Sequence, residues 1–173
     1  MAGALQGGAQ PQLCRGVAAQ VLVGAHVGRS WSGGANGDYT LVFSFANPLA
    51  SVGGASVSSG AGSVSSNNID SNDAHNYIVN LAGVTNAQVI TVSLTNVTDS
   101  AGDFGNAISA SMSVLVGDTT ADGSVNSADI SQTKSQSGHV VTSSNFREDV
   151  TADGSINSAD ISLVKSKSGT ALP

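Results

Sequence analysis

The sequence predicts a mostly β protein with a small α-helical module near its C-terminal end. Two observations predict this fold class. Between residues 31 and 116, apolar and polar residues alternate with a period of two, which is typical of half-buried strands. Residues 118–138 recur almost unchanged at 149–169, which indicates two copies of one small supersecondary unit. We therefore divide the chain into residues 1–30, 31–116 and 117–173.

The composition excludes several classes of protein. Only 10% of the 173 residues are charged, which is too few for a bundle of amphipathic helices. Six Lys and Arg against twelve acidic residues give a net charge of −6 and an isoelectric point near 4.6, so we expect no nucleic-acid partner. Eleven of the acids are Asp and only Glu148 is Glu, a bias typical of turns and calcium ligands. The single Cys14 excludes a disulfide framework.

Residues 1–30 contain no acidic residue and no sustained helical or strand periodicity. We predict that they are a disordered leader or the start of a fragment. The apolar stretch 16–28 follows Arg15, but Gln20 and His26 interrupt it, so no signal peptide is evident in this chain. No apolar run in the sequence is long enough for a membrane span.

Residues 31–116 contain four alternating apolar runs separated by turn signals. The dipeptide Asn47-Pro48 ends the first run, and Asp99–Gly102 follows the third. Ala55–Ser59 and Ser63–Ser66 are predicted to be short edge strands. Short strands with turns at this spacing predict an antiparallel β-sandwich. The four runs are Tyr39, Leu41, Phe43 and Phe45; Tyr77, Val79 and Leu81; Ile90, Val92 and Leu94; and Met112, Val114 and Val116.

The run TVSLTNVTDSAGDFG, from Thr91 to Gly105, resembles the closing strand and turn of bacterial Ig-like domains. In that family the turn commonly ends in Asn, and Asp103 replaces it here. The resemblance implies an Ig-like β-sandwich over residues 31–116 that acts as a spacer or adhesive module. This is an analogy at the level of the fold and implies no activity.

The repeat near the C-terminal end has the spacing of a calcium-binding loop. Sixteen of its 21 positions are identical between the two copies, which are 31 residues apart. With Asp118 as position 1, a Gly falls at position 6 and an acid at position 12. A twelve-residue loop of this kind supplies calcium with hard oxygens from positions 1, 3, 5, 7, 9 and 12. The predicted ligands of two calcium ions are Asp118, Thr120, Asp122, Ser124, Asn126 and Asp129 in the first loop and Asp149, Thr151, Asp153, Ser155, Asn157 and Asp160 in the second.

Two positions of each loop depart from the usual EF-hand pattern. Position 3 is Thr instead of Asp or Asn, and position 12 is Asp instead of Glu. We therefore predict binding that is weaker than that of the best EF-hands. Val125 and Ile156, at position 8, are predicted to pack inside and to pair the two loops through a short β contact.

Asp at position 12, the tandem spacing and the absence of a helix before the first loop resemble the type I dockerin domain, over the whole of residues 117–173. Residues 145–149 resemble the short helix that leads into the second dockerin loop, and we predict that Phe146 plugs the core between the loops. Ser127 and Ser158 are predicted N-caps, and Gly138 and Gly169 are predicted to end the helices. Because these helices are short and rich in Ser, we expect them to depend on calcium for folding.

The dockerin resemblance implies a partner, the cohesin module, and the positions that contact it. These are loop positions 10, 11, 17 and 18, which are identical in the two copies, so either copy could serve as the binding face. The implied contact residues are Ser127, Ala128, Lys134, Ser135, Ser158, Ala159, Lys165 and Ser166.

The sequence leaves two functions open. The first is a non-catalytic docking module of a secreted or surface protein, with polysaccharide degradation as the context that the resemblance implies. The second is a structural module that calcium stiffens, with no cohesin partner. No catalytic motif appears, and His26, His75 and His139 have no metal-ligand spacing, so we predict that this chain is not an enzyme and that any catalytic module lies upstream. We expect a monomer in the extracellular space, where millimolar calcium fills loops of modest affinity.

Overall fold

The computed structural model describes residues 19–22 and 37–173 of the chain. In the order of the chain, the described part contains eight strands, two α-helices and one 3₁₀ turn. The strands are β1 (Ala19–Leu22), β2 (Tyr39–Phe45), β3 (Leu49–Ser51), β4 (Gly54–Ser59), β5 (Ser63–Ile69), β6 (Asn76–Ala82), β7 (Gln88–Asp99) and β8 (Phe104–Val114). The helices are α1 (Ser127–Gln136) and α2 (Ser158–Lys167), with the 3₁₀ turn at Phe146–Glu148 between them.

The strands form two antiparallel sheets around one apolar core. One sheet has the order β1-β2-β6-β5. In the second sheet, β3 and β4 both pair with one edge of β7, and β8 pairs with its opposite edge. The residues of β6 alternate between buried and half-buried, and Tyr77, Val79 and Leu81 are the buried ones, as their pattern predicts. The buried cluster contains side chains from both sheets, including Leu41 and Phe43 of β2 and Ile90, Val92 and Leu94 of β7. The prediction of a mostly β chain with two C-terminal helices is confirmed.

The predicted strands agree with the structure at most positions. All four alternating runs lie on strands, and the turn after Asp99 lies where it was predicted, although Val116 is buried beyond the end of β8. The sequence pattern does not predict β3, because three residues are too few to show an alternation. It also predicted disorder across Ala19–Leu22, which instead pairs with β2; the other residues of that leader lie outside the described part of the chain.

The C-terminal module follows β8 after two residues, and its two halves exchange backbone hydrogen bonds. The Val125 N–H donates to the Thr170 carbonyl at 2.8 Å, and the Gly169 N–H donates to the Val125 carbonyl at 2.8 Å. In the same way the Gly138 N–H donates to the Ile156 carbonyl at 2.8 Å. Each loop therefore pairs with the segment that follows the helix of the other copy.

This exchange corrects the predicted pairing of the two loops. Val125 and Ile156 are both buried, as predicted, but their backbones bond to the post-helix segments and not to each other. The spacing within each loop does not predict these partners, because Gly169 lies 44 residues after Val125 and Gly138 lies 18 residues before Ile156. Within the described residues, no helix is long and apolar enough to cross a membrane.

Candidate functional site

The candidate site consists of two twelve-residue loops, residues 118–129 (loop 1) and 149–160 (loop 2). Each loop turns sharply at positions 4 and 6, which have positive φ angles. In loop 1 these are Ala121 at 60° and Gly123 at 85°, and loop 2 repeats the two angles within a few degrees. Gly adopts such angles without strain, which explains why position 6 is Gly in both copies.

The carboxylate at position 1 closes the first half of each loop. Asp118 accepts hydrogen bonds from the Asp122 N–H at 3.1 Å and from the Gly123 N–H at 2.9 Å. Asp149 accepts the two corresponding bonds at the same distances. The backbone therefore curls around the first predicted ligand in both loops.

The carboxylate at position 12 closes the second half. In loop 1, Asp129 accepts from the N–H of Thr120 at 3.0 Å, from the Thr120 hydroxyl at 2.9 Å and from the Asn126 N–H at 2.8 Å. In loop 2, Asp160 accepts the same three bonds from Thr151 and Asn157. Both carboxylate-bearing residues are 0% exposed. Each buried carboxylate therefore links the start of its loop to the end of the loop through hydrogen bonds.

The same residues begin the helices. The Asn126 side chain accepts from the Ala128 N–H at 2.8 Å, while Asp129 at position N3 accepts from the Asn126 N–H, which together form a capping box. Asn157 and Asp160 form the same box at α2. The prediction of Ser127 and Ser158 as N-caps is therefore wrong, because the cap lies one residue earlier and these serines are the first helical residues. Gly138 and Gly169 follow the helix ends with positive φ angles, as predicted.

The loop carboxylates differ in their electrostatic environments. Hydrogen bonds from the Ser124 hydroxyl and N–H lower the pKa of Asp122. Burial raises the pKa of Asp129, but the hydrogen bonds from Thr120 and Asn126 outweigh burial and leave that pKa below its ordinary value. Burial raises the pKa of Asp149, and the neighbouring charges of Asp160 and Asp153 raise it further, against two backbone hydrogen bonds that lower it. Loop 2 therefore holds like charges that a bound cation would relieve.

The donor chemistry of the loops suits calcium, which prefers carboxylate, amide and carbonyl oxygens. Within residues 19–22 and 37–173, however, no three His, Cys, Asp or Glu side chains form a group that could hold a metal ion. The loop N–H groups engage the carboxylates at positions 1 and 12, and the Thr hydroxyl at position 3 donates to position 12. The twelve predicted calcium ligands therefore stay predictions, with Thr120 and Thr151 acting here as hydrogen-bond donors.

All eight predicted partner-contact residues are exposed. On each helix they occupy two adjacent pairs that are seven residues apart, so each helix presents them on one face. The exposed residues are Ser127, Ala128, Lys134 and Ser135 on α1 and Ser158, Ala159, Lys165 and Ser166 on α2.

The 3₁₀ turn between the halves confirms the predicted short helix but corrects the role of Phe146, which is 39% exposed and not a core plug. A 3₁₀ turn has about three residues per turn, so residues three apart share a face. Asn145 and Glu148 are the buried pair, which leaves Phe146 toward the outside. The burial of Glu148 was not predicted, and the one sequence signal for it is that Glu148 is the single Glu of the chain.

Comparison with known families gives one match. Residues 116–167 match the family model of the dockerin type I domain. The matched segment contains both loops and ends with the last residue of α2, and it covers less than a third of the chain. No curated protein and no solved structure matches the chain. The dockerin resemblance of the C-terminal module is thus supported, and the Ig-like resemblance of the β domain stays a prediction.

The dockerin-like helices should depend on the Asn caps and not on the neighbouring serines. We expect Asn126→Ala to lower the free energy of unfolding by about 1 kcal/mol, as is typical for the loss of an N-cap. Asn126→Asp should retain most of the stability, because Asp caps as well as Asn does. Ser127→Ala is the matched control and should change stability by less than about 0.5 kcal/mol. Denaturant unfolding followed by circular dichroism measures all three, and a larger loss for Ser127→Ala would contradict the assigned cap.

The pKa values of the loop carboxylates provide a second test. In a chelator, NMR titration should give Asp149 a pKa above its ordinary 3.8 and Asp129 a pKa below it. Ionised Asp129 therefore stabilises the fold above pH 3.8, and this contribution is lost as the pH falls through the folded-state pKa; ionised Asp149 destabilises the fold until it is protonated.

Asp153→Asn is the matched variant for this titration. It removes a neighbouring charge but leaves the backbone hydrogen bond to Asp149, so the pKa of Asp149 should fall. Saturating calcium should also move that pKa below 3.8. A pKa of Asp149 that calcium leaves unchanged would contradict calcium binding by this residue.

Proposed function

We propose that residues 117–173 are a calcium-dependent dockerin module that docks its parent protein onto a cohesin-type partner. The observation that carries this proposal is the match of residues 116–167 to the dockerin type I model, over two loops of equal geometry. Dockerins as a family bind calcium and cohesin without catalysing a reaction. Residues 31–116 would serve as a β-sandwich spacer with an Ig-like fold.

Two calcium ions would bind, one in each loop, through the twelve oxygen ligands named above. Their four positive charges would reduce the formal charge from −6 to −2. The donor set of each loop supports this assignment, because three carboxylates, an amide, a hydroxyl and a backbone carbonyl are hard oxygen ligands. Burial and then the charges of Asp160 and Asp153 raise the pKa of Asp149, and a bound cation would offset those charges.

Calcium would act on docking through the residue at position 12. Asp129 both closes loop 1 and completes the capping box of α1, so ordering the loop also orders the first turn of the helix. Ser127 and Ala128 lie in that first turn, where the partner would bind. Metal-binding free energy would thereby become folding free energy of the docking surface.

The two copies offer two equivalent docking faces. The four contact positions are identical in α1 and α2, and all of them are exposed. The exchanged backbone bonds give the two halves corresponding surroundings. We propose that a cohesin-type partner binds through either face, in two orientations related by the internal repeat.

The remaining features of the proposal come from the family resemblance. We propose that the parent protein is secreted or displayed on the cell surface, where calcium is abundant, and acts in polysaccharide degradation. The proposed module is a monomer. The alternative is a structural module that calcium stiffens, without a partner. The bond from the Leu172 N–H to the Gly123 carbonyl at 3.0 Å, which joins the residues after α2 to loop 1, fits a stiffening role.

Binding of the full chain to a panel of cohesin modules, measured by calorimetry, tests the proposal. We expect binding in calcium and loss of binding in a chelator. Ala128→Glu alone should weaken binding by roughly twofold, since one of two equivalent faces is removed. Ala128→Glu combined with Ala159→Glu should weaken it by at least about tenfold, which corresponds to one well-packed contact. A negative charge in the first turn interacts favourably with the helix dipole and stabilises the helix, so these variants should stay folded.

Ser113→Glu, on an exposed position of β8, is the matched control for the added charge and should bind normally. Intact binding of the double variant would contradict the two docking faces. Calcium-dependent folding without binding to any cohesin would overturn the docking function and support the structural alternative. Failure of the chain to bind calcium would overturn both functions.

A further inference from the structure

The two repeats differ at only five of 21 positions, and the differences follow a pattern. Apart from the exchange of Val125 for Ile156, the first copy has a neutral polar residue wherever the copies differ. The second copy has an apolar residue at three of these four positions and a Lys at the fourth. The polar residues of the first copy are Thr119, Gln132, Thr133 and Gln136, and their counterparts are Val150, Leu163, Val164 and Lys167.

In the structure, polar residues of the first copy lie next to the segment that precedes loop 2. The Gln132 amide donates to a carboxylate oxygen of Glu148 at 2.6 Å and to the backbone carbonyl of Thr119 at 3.3 Å. Gln136 accepts from the side chain of Asn145 at 3.3 Å. Two of the four polar residues specific to the first copy, Gln132 and Gln136, therefore contact the 3₁₀ turn or the residue before it, ahead of loop 2.

Glu148 is the centre of this contact. It is 3% exposed, and its second carboxylate oxygen is buried without a hydrogen-bond partner in the described part of the chain. Burying a carboxylate is costly, so a buried Glu needs a reason that simple packing does not supply. Glu148 is also the residue directly before Asp149, the first predicted ligand of loop 2.

The corresponding place in the other half cannot form such a contact. Gly117 occupies the position of Glu148 there, and Leu163 replaces the Gln. A Cβ added to Gly117 would lie only 3.3 Å from Val125 Cγ1 and 3.5 Å from Val164 Cα, so apolar packing leaves little room at that site. The module therefore contains one polar bridge, from loop 1 through α1 to loop 2.

We propose that this bridge, formed by Gln132 and Glu148, couples calcium binding at the two loops. Ordering loop 1 fixes the Thr119 carbonyl and α1, which positions the Gln132 amide. Gln132 then holds Glu148, and Glu148 fixes the backbone from which Asp149 enters loop 2. Coupling of this kind is reciprocal, so loop 2 strengthens calcium binding at loop 1 by the same factor. The inference rests on the proposed calcium binding and adds the dependence of one loop on the other.

A double-mutant cycle on the full chain, followed by calorimetric titration with calcium, tests the coupling. Asp118→Ala with Asp122→Ala removes two carboxylate ligands of loop 1, and the affinity of loop 2 is then measured. In the chain with the bridge we expect loop 2 to weaken by about fivefold or more. In the Gln132→Leu background we expect the affinity of loop 2 to change by less than about twofold when loop 1 is removed.

Leu suits the helix at position 132, since Leu occupies the same position in α2, but it leaves the buried Glu148 carboxylate without this donor. Thermal unfolding of Gln132→Leu therefore accompanies the titration, and Glu148→Gln keeps the coupling testable if Gln132→Leu does not fold. Leu163→Gln is the matched control: it faces no Glu in the other half and should leave the coupling unchanged. Glu148→Gln, which keeps an acceptor for the Gln132 amide, should keep more of the coupling than Glu148→Ala.

The outcomes separate the two proposals. Two loops that bind calcium independently in the native chain would overturn the coupling and leave the proposed function standing. Equal coupling with and without Gln132 would overturn the role of the bridge. If neither loop binds calcium, the proposed function fails and the coupling fails with it.

Discussion

The C-terminal module depends on one side chain in each half, the buried Asp at loop position 12. Asp129 receives hydrogen bonds from the beginning of loop 1 and from the N-cap of α1, and Asp160 does the same in loop 2. Because one carboxylate satisfies both sets of donors, the loop and the first helical turn cannot be arranged independently. The N3 residue of a capping box is usually Glu or Gln, and here the shorter Asp reaches the N-cap N–H at 2.8 Å in both copies.

A second constraint joins the halves to each other. Each loop takes its backbone partner from the segment after the other helix, and Val125 and Ile156 are buried at those junctions. In a single repeat, the backbone groups at position 8 would lack these hydrogen bonds, and so would the segment after the helix. Buried backbone groups without partners are costly. The two copies therefore form one structural unit. The bridge from Gln132 to Glu148 makes the two halves of that unit different from each other, which the halves of a perfect repeat would not be.

Features with a local cause could be predicted from the sequence. The alternation of Tyr39, Leu41, Phe43 and Phe45 identified a strand because the period of two depends only on the backbone, and the repeated Gly at position 6 identified a turn for the same reason. Features that depend on a distant partner could not be predicted. The short β3 exists because β7 is long enough to pair with it, and the exchanged loop partners are set by the packing of the two halves. The N-cap was misplaced by one residue because Asn126 and Ser127 are both good caps in isolation.

The most direct test of the account is hydrogen exchange of backbone amides during a calcium titration. If Asp129 joins loop and helix, the N–H groups of Thr120 and Asn126, which donate to it, become protected over the same calcium range as the amides of α1. Loop and helix would then order together, with one midpoint for each half of the module. Full protection of α1 in a chelator, with only the loop amides responding to calcium, would contradict the claim that Asp129 makes loop and helix a single unit.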